Sequence, residues 1–97
     1  MKSEALVKRD IKAFLRALEG CWFFMPVPTG YGVRGIPDFV GCYKGRFFAI
    51  EAKAKGGEPK PWQRLCMDAI NAAGGMAFLA DDLDTVKRNL EPFKDAI

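Results

Sequence analysis

The sequence has 97 residues, of which 49% are hydrophobic, three are cysteine and none is histidine, and its formal net charge is +3. This length predicts one domain, residues 1–97, because domains usually contain about 100 to 150 residues. The absence of histidine excludes Ser-His-Asp hydrolases, Cys-His proteases and His-ligated zinc sites. Catalysis would depend on carboxylates, lysine, hydroxyl groups or a metal ion. The positive charge is compatible with a polyanionic partner or with an ordinary charged surface.

The cysteines and the N-terminus indicate a cellular compartment. Cys21, Cys42 and Cys66 are odd in number and contain no Cys-x-x-Cys pair, which argues against a disulfide framework or a structural zinc site. No long apolar run follows Met1, so we expect neither a signal peptide nor a membrane span. These features predict a protein of the reducing cytoplasm.

The first third of the chain predicts a helix, a strand and a loop. Ser3 is a suitable N-cap, and the helix ends before Gly20. Apolar residues recur at helical spacing in between, at Val7, Ile11, Phe14, Leu15 and Leu18. Residues 21–27 are almost wholly apolar and predict a buried strand, and residues 29–35 form the loop. The aromatic residues of this strand are expected in the core or in a dimer interface.

The remaining sequence predicts a hairpin and an αβα continuation. Residues 39–43 and 46–54 are strands joined by a two-residue Lys44-Gly45 turn. A second helix begins at Lys60 or Pro61 and ends at Gly74-Gly75, followed by a strand at residues 76–80. A last helix, capped by Asp81 or Asp82, is bounded by Pro92. Because the strands are apolar on both faces, we predict an α/β fold with helices covering both sides of the sheet.

The hairpin brings two carboxylates together. If Tyr43 pairs with Arg46 across the turn, counting along both strands places Asp38 opposite Glu51 in a non-hydrogen-bonded pair. The side chain of Lys53 points to the same face. Two opposed carboxylates repel each other, and a divalent cation such as Mg²⁺ or Mn²⁺ would offset this repulsion. A hard metal beside a lysine suits phosphodiester hydrolysis, although the same residues can also form an ordinary pair at a sheet edge.

These residues resemble a known nuclease superfamily. Gly35-Ile36-Pro37-Asp38, then Ile50-Glu51-Ala52-Lys53, then Gln63 at the start of a helix, are similar to the motifs of PD-(D/E)XK nucleases and, more narrowly, of their VRR-NUC branch. The resemblance extends from Glu4 to about Ala80. It implies a restriction-endonuclease-like αβββαβ core with a mixed sheet flanked by helices, plus a short C-terminal helix.

The resemblance also implies roles for individual residues. Asp38, Glu51 and the backbone carbonyl of Ala52 would bind Mg²⁺ or Mn²⁺. Lys53 would position the attacking water, Gln63 would support the site, and Glu4 would add a carboxylate from the first helix. Minimal members of the family are typically phage or prophage proteins that resemble dimeric Holliday junction resolvases. The family pattern assigns no role to the acidic residues that follow the last strand, which are Asp81, Asp82 and Asp84.

Basic and aromatic residues near this site are candidates for contacts with DNA. Gly30 to Gly35 matches G-x-G-x-x-G, but a strand follows it where a dinucleotide site needs a helix. We therefore interpret it as a loop in which Tyr31 and Arg34 contact DNA, or as an ordinary connection. Further candidates for phosphate contacts are Lys55, Lys60 and Arg64, together with Lys53. Trp62 could pack in the core or stack on a base.

The sequence therefore predicts a metal-dependent, structure-specific DNA endonuclease. We expect a homodimer that acts on branched DNA, such as a Holliday junction, in the cytoplasm of a bacterial host. The alternative is a DNA-binding or assembly module that keeps the nuclease fold without catalysis. Metal-dependent cleavage would distinguish the two.

Overall fold

The computed structural model of the chain describes residues 2–96, so Met1 and Ile97, the ends of the predicted domain, lie outside the described residues. The helices are α1 (Glu4–Ala17), α2 (Pro61–Ala72) and α3 (Leu83–Leu90), and a 3-10 turn (Glu91–Phe93) follows α3. The strands are β1 (Cys21–Phe24), β2 (Phe39–Tyr43), β3 (Arg46–Ala52) and β4 (Met76–Ala80). The predicted order of elements is confirmed. No helix within residues 2–96 has both the length and the apolar character needed to cross a membrane.

Side chains determine where the helices begin. The Ser3 hydroxyl accepts a hydrogen bond from the backbone N–H of Leu6 at 3.3 Å, as predicted for an N-cap. Asp82 caps α3 by accepting from the backbone N–H of Thr85 at 2.8 Å, which decides between the two candidate aspartates. Helix α2 begins at Pro61, where the missing backbone N–H is harmless.

The four strands form one mixed sheet in the order β1-β2-β3-β4. The first three strands are antiparallel, and β3 and β4 are parallel. Tyr43 pairs with Arg46, as predicted, across a turn in which Lys44 and Gly45 have φ values of 52° and 83°. Positive φ at both turn residues is the geometry of a type I′ hairpin. Continuing this register by one residue pair beyond Phe39 and Ile50 places Asp38 opposite Glu51.

Helices cover both faces of the sheet, but unequally. On one face α1 and α3 bury the larger core with the alternate residues of β2 and β3; its members include Val7, Ile11, Leu15, Phe39, Phe48, Ile50, Val86 and Leu90. On the other face α2 packs Met67 and Ile70 against Val40, Ala49 and Ala77. On this second face, α2 therefore contacts residues of β2, β3 and β4, and the side chains of β1 stay partly exposed.

The incomplete cover corrects the prediction for the first strand. β1 ends at Phe24, so the strand predicted at residues 21–27 is too long, and it is not fully buried. Trp22 is 67% exposed and Phe24 is 47% exposed, because β1 is an edge strand beyond the reach of α2. The prediction for the third strand is also too long: β3 ends at Ala52, just before a turn.

Candidate functional site

The beginning of β2 and the end of β3 hold the two carboxylates that the hairpin count pairs. Asp38 follows the buried residue Pro37, and its Oδ2 atom accepts a hydrogen bond of 2.9 Å from the backbone N–H of Ala52. The bond fixes Asp38 against the neighbouring strand. Glu51 is only 3% exposed. Among residues 2–96 it is the one charged residue that is buried. A charge buried to this degree needs partners, since desolvation of an isolated carboxylate is costly.

Two side chains contact the same oxygen of Glu51. The Gln63 amide donates a hydrogen bond of 3.0 Å to Oε2, and the Lys53 ammonium lies 3.4 Å from it. Burial raises the pKa of Glu51, and the nearby charge of Asp38 raises it further, while Lys53 opposes both effects. Burial is therefore the main reason that the charged form of Glu51 is disfavoured, and the Asp38 carboxylate adds to it.

Lys8 on α1 joins this group, although the sequence did not identify it. Its Nζ atom lies 3.3 Å from Oδ1 of Asp38 and 3.5 Å from Oε2 of Glu4. Burial disfavours the charged form of Lys8, but Asp38 and Glu4 outweigh this and raise its pKa. The four-residue spacing of Glu4 and Lys8 suggests their own pair. Its link to Asp38 depends on how α1 packs on the sheet.

Of the site residues that the sequence predicts, Asp38, Glu51, Ala52, Lys53 and Gln63 lie together, whereas Glu4 connects to Asp38 through Lys8. Residues 2–96 contain no group of three or more His, Cys, Asp or Glu side chains arranged to hold a metal ion. Two carboxylates and a backbone carbonyl nevertheless fit a hard divalent cation, which prefers oxygen ligands and usually keeps several waters.

Trp62 brings two of the predicted DNA-contacting residues together beside this group. The Arg34 guanidinium lies 4.0 Å from the centre of the indole ring, and the Lys60 ammonium lies 5.4 Å from it. Gly35 has φ +79°, and a Cβ atom there would lie 2.4 Å from the carbonyl oxygen of Trp62. The loop therefore packs closely on the start of α2, next to Gln63. The sequence left the role of Trp62 open and placed Arg34 and Lys60 in separate groups.

The other predicted DNA-contacting residues, Tyr31, Lys55 and Arg64, have different surroundings. Tyr31 is 90% exposed on the loop, and residues 26–36 line an open cavity of about 420 Å³. Lys55 lies 3.9 Å from Asp81 and 3.8 Å from Asp82, so acidic side chains accompany its charge. Arg64 is exposed on α2. The ammonium of Lys53 is directed to Glu51.

The arrangement as a whole places two carboxylates next to a largely buried ammonium group, with a basic and aromatic surface adjoining it. Lys53 is 13% exposed, so its charge is directed into the site. Comparison of the sequence with known protein families and with curated proteins finds no match. The functional interpretation therefore rests on the residues and their geometry.

Proposed function

We propose that the protein is a Mg²⁺- or Mn²⁺-dependent DNA endonuclease with a restriction-endonuclease-like core, related to the VRR-NUC branch of the PD-(D/E)XK nucleases. The observation that carries the proposal is the pairing of Asp38 with Glu51 at the end of the hairpin, with Lys53 3.4 Å from Glu51. The order of helices and strands is compatible with that core. The nuclease resemblance of the motifs supports the same function.

Each residue of the site has a chemical role in this proposal. Asp38, Glu51 and the Ala52 carbonyl would hold the cation. When bound, such a cation neutralises phosphate charge and lowers the pKa of water. The Lys53 ammonium orients the attacking water or stabilises negative charge that develops on the phosphate. Gln63 holds Glu51 in place through the 3.0 Å hydrogen bond, so the carboxylate is oriented before substrate binds.

The proposed DNA contacts surround Trp62. Arg34 in the loop and Lys60 just before α2 both carry positive charge next to the Trp62 ring, and both are exposed. Tyr31, Lys55 and Arg64 would extend the contact surface. Phosphate contacts of this kind carry no sequence information. Because they release counterions from the DNA, affinity for DNA should fall steeply with salt.

We also propose a homodimer acting on branched DNA, such as a Holliday junction. β1 pairs only with β2 in the described part of the chain, and this edge carries the exposed rings of Trp22 and Phe24. Phe47, on the same face, is 44% exposed. A second copy would cover the edge and the aromatic side chains, which are otherwise prone to aggregation. Two sites could then cut paired strands.

Free thiols at Cys21, Cys42 and Cys66 accord with the proposed location in a bacterial cytoplasm, as a phage or prophage product.

Cleavage assays with labelled four-way junctions, flaps, nicked DNA and plain duplex test the endonuclease proposal. We expect cleavage in Mg²⁺ or Mn²⁺ and none in chelator. Asp38→Asn keeps an acceptor for the Ala52 N–H, so this variant should fold. Lys53→Met keeps most of the side-chain volume but removes the cation beside buried Glu51, so its fold is checked by circular dichroism before the rates are compared. Each should lose about a hundredfold or more in rate. Lys12→Met makes the same change at a lysine on α1, outside the proposed site, and is the matched control. Cleavage by folded Asp38→Asn at the wild-type rate would contradict the proposal.

The second candidate is a DNA-binding or assembly module without catalysis. Two observations favour it: Lys8 lies 3.3 Å from Oδ1 of Asp38, and residues 2–96 contain no group of three or more His, Cys, Asp or Glu side chains placed to hold a metal ion. A ligand that binds only the folded state raises the melting temperature. Binding of branched DNA without cleavage, and no change in melting temperature at millimolar Mn²⁺, would establish this candidate.

A further inference from the structure

We propose that Lys8 competes with the divalent cation for the carboxylate of Asp38. Its ammonium contacts Asp38 in the metal-free protein and moves to Glu4 when the cation binds. The inference rests on the proposed metal site and adds a residue that regulates it. Three observations carry it: the division of the Asp38 oxygens, the second partner of Lys8, and the contrast between Lys8 and Lys53.

The two oxygens of Asp38 have different partners. Oδ2 accepts the 2.9 Å hydrogen bond from the backbone N–H of Ala52, which ties it to β3. Oδ1 faces Lys8, whose Nζ atom lies 3.3 Å away. Oδ1 is therefore the Asp38 oxygen that has no backbone partner, and a cation bound there would meet the Lys8 ammonium. Two positive groups cannot share that oxygen without strong repulsion.

Lys8 can leave Asp38 without losing all of its partners. Glu4 lies one helical turn earlier on α1, and its Oε2 atom is 3.5 Å from the same ammonium. The Lys8 side chain is 34% exposed, so water is also available to it. Movement to Glu4 needs only a rotamer change within α1, because residues four apart lie on the same helix face.

Lys53 differs from Lys8 in each of these respects. Its side chain is 13% exposed, and its one ion pair in the described part of the chain is with the buried Glu51. Withdrawal of Lys53 would leave that buried carboxylate without its cation, which is costly. Lys53 is therefore a permanent member of the site, whereas Lys8 is an exchangeable one. In the metal-free state Lys8 offsets the repulsion between Asp38 and Glu51.

Removal of the competing charge should strengthen metal binding. A unit charge at about 4 Å interacts appreciably even in water, and a divalent ion doubles the effect. We expect Lys8→Met to bind Mn²⁺ about tenfold more tightly than the wild type, measured by isothermal titration calorimetry at constant ionic strength. Lys8→Gln, which keeps a polar side chain, should behave alike and serves if Lys8→Met does not fold. Lys12→Met, one turn further along α1, should bind as the wild type does.

A double variant separates the two possible roles of Glu4. If Glu4 acts by receiving Lys8, Glu4→Gln weakens Mn²⁺ binding in the wild type and has no effect in the Lys8→Met background. Weaker binding in both backgrounds would instead make Glu4 a metal ligand and overturn its role as the acceptor of Lys8.

The outcomes distinguish failure of the inference from failure of the metal site. Equal Mn²⁺ affinity in the wild type, Lys8→Met and Lys8→Gln overturns the inference and leaves the metal site standing. Absence of binding to all of these proteins at millimolar Mn²⁺ overturns both. Tighter binding in the two Lys8 variants together with an unchanged Lys12→Met supports the competition, including the case in which only the Lys8 variants bind measurably.

Discussion

The side chain of Gln63 connects a helix start to a buried carboxylate. Its amide nitrogen donates to Oε2 of Glu51 at 3.0 Å, and its oxygen accepts from the backbone N–H of Lys60 at 2.8 Å. The same amide therefore satisfies a free donor at the beginning of α2 and orients the charged residue at the end of β3. The position of the helix and the geometry of the carboxylate pair depend on each other.

Substitution of Gln63 should affect both partners. Gln63→Ala removes the two hydrogen bonds, and we expect a loss of about 1 to 2 kcal/mol in the free energy of unfolding, measured by urea denaturation. Gln63→Glu keeps the acceptor for Lys60 but places a third carboxylate beside Glu51. Cleavage should fall about tenfold or more in both variants. Wild-type stability and activity in Gln63→Ala would show that the amide has no such double role.

The close approach of the loop to α2 predicts different costs at two glycines. Gly32 and Gly35 have φ values of +87° and +79°, so alanine at either position has backbone strain of about 1 to 2 kcal/mol. Only Gly35→Ala also overlaps the Trp62 carbonyl, since no atom lies within 4 Å of a Cβ at Gly32. We expect Gly35→Ala to lose a further 1 to 3 kcal/mol or so in urea denaturation. Equal stability of the two variants would contradict the packing.

The contact between Arg34 and Trp62 should restrict the motion of the loop. Arg34→Ala removes a cation-π interaction of about 0.5 to 1 kcal/mol at an exposed site. We expect faster amide hydrogen exchange in residues 29–35, with exchange in the sheet unchanged. Arg64→Ala, an exposed arginine substitution on α2, is the control for loss of charge. If the two variants exchange alike in the loop, Trp62 does not hold it.

The cap of α3 predicts a pH dependence. The Thr85 hydroxyl and then the Thr85 N–H lower the pKa of Asp82 by hydrogen bonding to its carboxylate, at 2.7 and 2.8 Å. Because the folded pKa is depressed, this stabilisation is present above the ordinary aspartate pKa of about 3.9 and is lost as pH falls through the folded value. Asp82→Ala should unfold about 1 kcal/mol more easily at pH 7. The difference in unfolding free energy between Asp82→Ala and the wild type should narrow towards about pH 3.

The local features of the fold could be predicted from the sequence. The cap at Ser3 and the turn at Lys44-Gly45 depend on residues close in the chain, and the structure confirms them. Of the two candidate caps for the last helix, Asp81 and Asp82, the structure selects Asp82. The hairpin register follows from the turn, so the placement of Asp38 opposite Glu51 could be obtained by counting. It is the part of the site that local chemistry determines.

The features that depend on packing between distant elements could not be predicted. Lys8 reaches Asp38 because α1 crosses the sheet, and Arg34 reaches Trp62 because the loop folds onto α2. The exposure of Trp22 has the same origin, since an apolar strand does not reveal which of its faces lacks a helix. Hydrophobic pattern indicates that a residue can be buried, and only the arrangement of the elements decides whether it is.

The two-residue turn between β2 and β3 determines on which face of the sheet the two carboxylates lie. Side chains alternate between the faces of a strand, so one residue inserted between Tyr43 and Arg46 would shift the register and turn either Asp38 or Glu51 to the opposite face. The placement of the acidic pair thus depends on the length of this turn as well as on the two residues themselves. The length of the loop before Asp38 does not enter this register, although the loop is held against Trp62 at Gly35.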